Sequence, residues 1–194
     1  MAGERRGPTW RGEGGQHQGA RPYQEDSWSL RTLPDASWLA VVADGMIYAG
    51  TRQKPVLALK AGGKGDVTTS HLAWKWDNDG GPDVPTPVTD GKFFYMVADN
   101  GVITCIDAKS GEQIYRNRLS VGATIDSSPL LADGKLYITG ENAATVVLAA
   151  GPKYEELARN ELDGTFTMSS LAVSGSQLFI RTSTHLYCIG KPAN

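Results

Sequence analysis

Several short stretches of this chain have residue types that could do chemistry, and each can be tested against the spacing its chemistry needs. Asp77-Asn78-Asp79-Gly80-Gly81-Pro82-Asp83 opens like a calcium loop, because hard cations bind through carboxylate and carbonyl oxygens. No Glu closes the twelve-residue spacing, so the stretch reads as an Asx-rich turn. Gly62-Gly63-Lys64-Gly65-Asp66 has the glycines and lysine of a phosphate loop. The full G-x-x-x-x-G-K-[ST] pattern and its following helix are missing, so this too reads as a turn. His17, His71 and His185 are scattered and make no metal-ligand spacing. No Ser/His/Asp set can be assembled, because nothing in the sequence places three such residues together.

The elements that would have to position any such site are short strands. Thr86 to Leu119 organises the chain. Asp90-Gly91, Asp99-Asn100-Gly101 and Lys109-Ser110-Gly111 are turns, separated by β-rich runs at Phe93 to Ala98, Val102 to Asp107 and Glu112 to Leu119. That pattern predicts one meandering antiparallel sheet, and the chain repeats it. Turn glycines recur at 45, 91, 134 and 175, at spacings of 46, 43 and 41 residues. A period near forty with four strands per unit is the mark of propeller blades, not of helical solenoids.

The remaining units follow from the same alignment. Trp38 to Val42, Met46 to Thr51, Pro55 to Ala61 and His71 to Trp76 make the first, with Leu72, Trp74 and Trp76 expected on one face. Ser128 to Ala132, Lys135 to Gly140, Thr145 to Ala150 and Glu155 to Leu162 make the third, the last being strand in spite of its helical propensity. Ser170 to Val173, Gln177 to Thr182 and His185 to Ile189 supply only three strands of the fourth. Cys105 and Cys188 fall at one repeat position, which this alignment gives to Leu57 and Leu148 in the other units. Both thiols are therefore expected free and inert, being too far apart for a disulfide.

Composition limits the function classes. The chain has 194 residues, 40% hydrophobic and 21% charged, with 23 glycines and 10 prolines, as a turn-rich globular domain would. A formal charge of −2 gives no electrostatic reason to expect nucleic acid or an anionic membrane surface as partner. No apolar run is long enough to predict a membrane span. Residues 1–19 are polar and glycine-rich and predict a disordered or loosely attached tail. Arg5-Arg6 is not followed by an apolar segment, so no signal peptide is expected and the default compartment is the cytoplasm.

Two resemblances sharpen these expectations. Asp133-Gly134-Lys135-Leu136-Tyr137-Ile138-Thr139-Gly140, Cys105 to Glu112 and His185 to Gly190 resemble the pyrroloquinoline-quinone-type (PQQ-like) β-propeller repeats, over about residues 38–190. Such proteins are often exported, and many carry the repeat without the quinone. Tyr115 stands where these repeats often have the Trp that docks one blade on the next. The resemblance implies a vicinal disulfide and a stacking Trp around any bound quinone. This sequence has no Cys-Cys pair, so no quinone is expected.

The second resemblance is shorter. Arg21-x-x-Gln24-Glu25-Asp26 and Val42-Ala43-Asp44-Gly45-Met46 are similar to the opening of the metal-dependent (PPM-type) serine/threonine protein phosphatases. It implies that Arg21 holds phosphate, that Asp44 and the Gly45 carbonyl bind Mg²⁺ or Mn²⁺, and that Glu25 and Asp26 act through metal-bound water. Residues 20–37 are then a phosphatase-like segment or linker, joined to the repeats near Asp44 by a possible fusion.

The sequence thus predicts an all-β chain, a partial or small β-propeller of roughly four blades of four-stranded antiparallel sheets. The preferred function is noncatalytic binding or scaffolding, with no metal, cofactor or catalytic residue, in what could be the C-terminal part of a larger propeller. A phosphatase fragment using Arg21, Glu25, Asp26 and Asp44 is the first alternative, and a quinoprotein oxidoreductase fragment the second. The expected partner is a protein, or a second copy engaged through open sheet edges. Ser27 to Arg31 is the one segment that could supply the missing strand of the fourth unit.

Overall fold

A computed structural model of the chain describes residues 28–29, 39–50 and 52–190, and the expected tail lies outside the described residues. Every element in it is a strand. β1 (Trp28–Ser29) comes first, followed by β2 (Leu39–Ala43), β3 (Met46–Gly50), β4 (Val56–Lys60), β5 (Gly65–Asp66) and β6 (Leu72–Trp76). β7 (Val88–Thr89), β8 (Phe93–Val97), β9 (Val102–Asp107) and β10 (Gln113–Arg118) make the second unit. β11 (Leu130–Ala132), β12 (Lys135–Thr139), β13 (Ala144–Ala149) and β14 (Glu156–Glu161) make the third. β15 (Ala172–Ser174), β16 (Gln177–Arg181) and β17 (Leu186–Gly190) complete the series.

These strands form successive antiparallel meanders. The sheets run β2-β3-β4-β6, β7-β8-β9-β10 and β11-β12-β13-β14, and a three-stranded β15-β16-β17 follows. The all-β expectation and the partial propeller therefore hold, and Glu156–Glu161 is strand. Propensity for helix there gives way to pairing with β13.

The hairpins that begin the units use two kinds of turn. Asp44-Gly45 and Asp133-Gly134 have positive φ at both central residues, 49° and 73°, then 48° and 65°, as a type I′ turn requires. In the second and fourth sheets the central pair is Gly91-Lys92 and Gly175-Ser176, and only the glycine has positive φ. Asp90 is displaced one place and caps its turn, its carboxylate accepting the Lys92 and Phe93 N–H groups at 2.9 and 2.7 Å.

That one-residue difference corrects the alignment. The Gly45, Lys92 and Gly134 carbonyls each accept the same bond, from Ala61, Ala108 and Ala150, so these positions are equivalent. Cys105 and Cys188 then do share a position, but with Ala58 and Val147, not with Leu57 and Leu148. A second correction concerns the first outer strand. A register shift between Ala58 and Leu59 skips Ala73 and turns Leu72 out, leaving it exposed while Trp74 and Trp76 stay buried.

Side-chain alternation gives each sheet two apolar faces, and neighbouring sheets pack face to face. Between the first and second lie Tyr48, Val56, Ala58, Trp74, Trp76, Phe94, Met96, Ile106 and Ala108. Tyr48 stacks on Phe94 with ring centroids 5.1 Å apart. Between the second and third lie Tyr95, Val97, Ile103, Cys105, Leu136, Ile138, Val146 and Leu148, closed from the connecting segment by Leu119, Val121 and Ile125.

Two polar devices lock these faces together. The Asp107 carboxylate accepts N–H bonds from Lys109 and Ser110 at 3.0 and 2.7 Å, which folds the loop tightly and holds its carboxyl below the usual carboxylate range. This presents the Ala108 carbonyl to Trp74, whose indole N–H donates to it at 2.9 Å. The Trp74 ring covers Gly111, where a Cβ would lie 2.7 Å from it. Tyr115 takes the corresponding place on the second sheet, opposite Cys105, and meets Tyr154 of the third edge-on at 5.8 Å. The second device lies on the inner strands. Thr86 N–H donates to Ser128 Oγ and Ser128 N–H to Ser170 Oγ, each at 2.9 Å, so one hydroxyl stitches the second sheet to the third and another the third to the fourth.

Ser27 to Arg31 could have supplied the missing strand of the fourth unit, but its described residues, Trp28 and Ser29, do not pair there. Trp28–Ser29 instead runs parallel to Gly65–Asp66, the short strand between β4 and β6 of the first sheet. Among the described residues no hydrogen bond joins the first sheet to the fourth. Over the described residues the four units form an open series.

Candidate functional site

The residues singled out for chemistry are dispersed by this fold. Arg21, Glu25 and Asp26 lie outside the described residues. Asp44 and Gly45 occupy the type I′ turn, and the Asp44 carboxylate rests against the Gly91 turn of the next sheet, in space a Cβ on Gly91 would fill. A turn and a packing contact account for Asp44. Among the described residues no group of three or more His, Cys, Asp or Glu is placed to hold a metal ion.

The calcium-loop reading dissolves in the same way. Asp77 pairs with Lys75 at 3.0 Å, Asp79 with Arg116 at 2.6 Å and Asp83 with Arg52 at 3.1 Å, so each carboxylate faces its own cation. His71 contacts Ser70 Oγ through Nδ1 at 2.8 Å, and His185 contacts Thr184 Oγ1 and Asp163 through the same ring atom. Both threonine and aspartate thus share one nitrogen, which is not the relay geometry of a catalytic triad. That cluster ties the segment leaving the third sheet to the β16–β17 turn. Thr165 and Thr184 donate to Asp163 and hold its carboxyl well below the usual carboxylate range.

The equivalent cysteines differ because their surroundings differ. Cys105 is fully buried between the second and third sheets, and burial pushes its thiol up to about 12. It is protonated at neutral pH and cannot serve as a nucleophile. Cys188 is exposed, because the matching face of the fourth sheet has nothing packed on it among the described residues.

That unfilled end of the fourth sheet is the candidate site. Thr182 N–H donates to the His185 carbonyl at 2.8 Å, which fixes the alternation along β17. Tyr187 and Ile189 therefore turn their backbone groups to β16, and Leu186, Cys188 and Gly190 turn theirs outward. The matching strand of the third sheet, β13, spends its outward groups on β14. On β17 they form an edge five residues long that no strand pairs among the described residues. Phe179, Leu186 and Cys188 add an apolar face beside it, with Leu186 exposed to 73%. On the other face, Leu178, Ile180 and Ile189 look across at Tyr137 and Leu162 over a cleft of about 350 Å³. This arrangement offers a strand edge and apolar surface.

Sequence reasoning anticipated the missing strand but not which face would be exposed, since that depends on the register of Cys188 and Leu186. The signal that could have shown it is the aromatic series Tyr48, Tyr95, Tyr137 and Phe179, which marks one face of every sheet.

No curated protein is significantly similar in sequence. Among solved structures the chain resembles BamB from Moraxella catarrhalis, at a TM-score of 0.57 and 13% identity, with 78% of this chain and 44% of that one covered. It also resembles the quinohemoprotein alcohol dehydrogenase ADHIIG from Pseudomonas putida HK5, at 0.60 and 18%, covering 79% of this chain and 29% of that one. The computationally designed Ika8 protein matches at 0.64 and 8%, covering 84% and 48%. The chain thus spans less than half of each. These likenesses establish the fold as a β-propeller series. The sequence match to a family runs over residues 21–186, taking in Arg21, Glu25, Asp26 and Asp44, so repeat-family sequence covers the segment on which the phosphatase resemblance rested. From its repeat, its blade geometry and this match, the chain belongs to the family described as outer membrane protein assembly factor BamB.

Proposed function

We propose that this chain is a noncatalytic protein-binding module, and that its fourth blade takes a β-strand from a protein partner. The observation that carries the reading is the edge of β17, unpaired among the described residues, three outward residues long in its hydrogen-bonding groups and flanked by exposed Leu186. Exposed edges recruit strands, because each added hydrogen bond satisfies a backbone group already held in extended geometry. The position is also one that the repeat fills elsewhere: β6, β10 and β14 each cover the equivalent strand. A family described as an assembly factor acts on other proteins, which is the class of partner proposed. The reading assigns neither metal nor quinone to the chain, and it gives Asp44 a structural role.

A synthetic peptide of residues 112–119 tests this. In the second blade that segment covers β9 with Tyr115 opposite Cys105, and Cys188 is the equivalent of Cys105 on β17. Binding should slow hydrogen exchange at the Leu186, Cys188 and Gly190 amides and leave Tyr187 and Ile189 unchanged. Cys188→Pro removes one outward N–H at an edge, where proline is tolerated, and should abolish the effect. Exchange unaffected by peptide at saturating concentration would overturn the strand-addition reading.

A further inference from the structure

We propose that the chain assembles head to tail with a second copy, the outer face of its fourth blade docking on the outer face of the partner's first. The proposal rests on the reading of the fourth blade as the binding end, and names a second copy of this chain as what its face receives.

The argument is continuity with the blade junctions already present. At each junction the face of one sheet that carries the aromatic meets the opposite face of the next sheet. The aromatic position holds Tyr48, Tyr95, Tyr137 and Phe179, and the receiving position holds Ile47, Phe94, Leu136 and Leu178. Tyr48 on Phe94 shows how the pair meets. Among the described residues, those that lack a counterpart are Phe179 at one end and Ile47 at the other.

The surrounding positions match as well. Leu186 and Cys188 replace the buried pairs Val56 and Ala58, and Ile103 and Cys105. Ile47, Leu57 and Leu59 on the first sheet match Phe94, Thr104 and Ile106 on the second. Each face is therefore one half of an interface that this chain builds elsewhere at full packing, although on the first sheet Leu59 is already buried and Ile47 and Leu57 are half-buried. Their exposure shows that they do not meet each other within one copy: Leu186 is 73% exposed and Val42, on the first sheet's outer face, 66%. Two copies also cover about the extent of fold in one larger relative, since one copy spans 44% of BamB and 48% of Ika8. A pair joined at both ends closes the series and leaves no open face.

One feature of the first blade departs from the repeat. The inner-strand hydroxyl of Thr86, Ser128 and Ser170 is replaced at the equivalent position by Leu39, so Ser170 N–H meets no hydroxyl across the new junction. Leu39→Ser supplies it.

Sedimentation equilibrium of the full chain reads the assembly directly. The expected species is twice 20.8 kDa at micromolar concentration. Val42→Lys and Leu186→Glu should each yield monomer, with far-UV circular dichroism unchanged. Mixed together, the two variants should re-form a dimer, because the pair retains one native junction. A variant that had failed to fold could not be rescued in this way. Leu39→Ser should tighten the dimer severalfold. A monomer of the unmodified chain at 100 micromolar, or about that, overturns the proposal and leaves strand addition to the peptide experiment. A dimer that survives Val42→Lys but is lost in Cys188→Pro also overturns it, since the copies would then be joined by their β17 edges.

Discussion

The junction between the second and third blades and the junction between the third and fourth share one backbone plan but differ in filling. Both are stitched by the same inner-strand bond, Thr86 to Ser128 and Ser128 to Ser170. The loop bonds repeat too: Ile125 N–H donates to Asp99 and Thr167 N–H to Glu141. Yet the first junction is a closed core with Leu136, Ile138, Val146 and Leu148 fully buried. The second holds a cleft of about 350 Å³, with Ile189 45% exposed where Leu148 is sealed. The lesson is that backbone hydrogen bonds position neighbouring blades, while the outer strand and connecting segment decide whether the space between them closes. Leu119, Val121 and Ile125 close the earlier junction; Leu162 and Leu171 only line the later cleft.

The largest test of this contrast is chemical. Cys105 and Cys188 share a repeat position, one inside the closed junction and one on the open face. With the Cys105 thiol titrating near 12 against an ordinary value of 9.0, its thiolate at pH 8 is about a thousandfold scarcer than that of an ordinary thiol. A disulfide reagent should therefore label Cys188 promptly in the folded chain and Cys105 only after denaturation. Prompt labelling of both would mean that the junction is not closed. The same shift has a stability consequence with a definite sign. The folded thiol holds its proton up to about 12 while the unfolded one releases it near 9.0, so stability is full below pH 9 and falls as pH rises toward 12. Urea midpoints measured from pH 8 to 11 should decline, and Cys105→Ala should flatten part of that decline.

Next in size is the paired truncation of equivalent residues. Leu148→Ala empties a sealed site and should cost about 3 kcal/mol, whereas Ile189→Ala on the cleft should cost about 1 kcal/mol. Urea unfolding of both variants measures the ratio, and equal costs would show that the cleft is closed in solution. The Trp74 latch offers a third test on the junction between the first two blades. Gly111→Ala must strain a φ of 77° and push a methyl into the indole, for a loss of about 2 kcal/mol. Trp fluorescence should shift to the red as the ring is displaced. The smallest effect belongs to the stitching hydroxyls. Ser128→Ala should cost about 1 kcal/mol, and Ser170→Ala about half of that, because its bond is the more exposed.

Most of the fold is legible in the sequence. Alternating β-rich runs between Asp-Gly and Asn-Gly turns can satisfy their backbone groups only as hairpins, and a period near forty limits each unit to four short strands. That reasoning found every major strand and the missing one. The candidate site was legible only as a missing strand. Local sequence also accounted for Asp44, Asp77 and Gly62, since turn chemistry acts over two or three residues and needs no distant partner.

What the tertiary structure alone decided was register and contact. A one-residue difference between turns on Asp44-Gly45 and on Gly91-Lys92 shifts the whole second unit, and with period-two side chains a single step moves a residue to the opposite face. Only the pairing register, which sets Ala58, Cys105, Val147 and Cys188 opposite Tyr48, Tyr95, Tyr137 and Phe179, puts Ala58 and Val147 where the sequence repeat suggests Leu57 and Leu148. Burial was equally out of reach: Cys105 and Cys188 are the same residue at the same repeat position. Only the presence of a third blade, and the lack of one beyond β17 among the described residues, makes one a sealed thiol and the other an open surface. Repeats specify the blade locally, but packing between blades joins residues some forty positions apart, and that is a property of the assembled sheets.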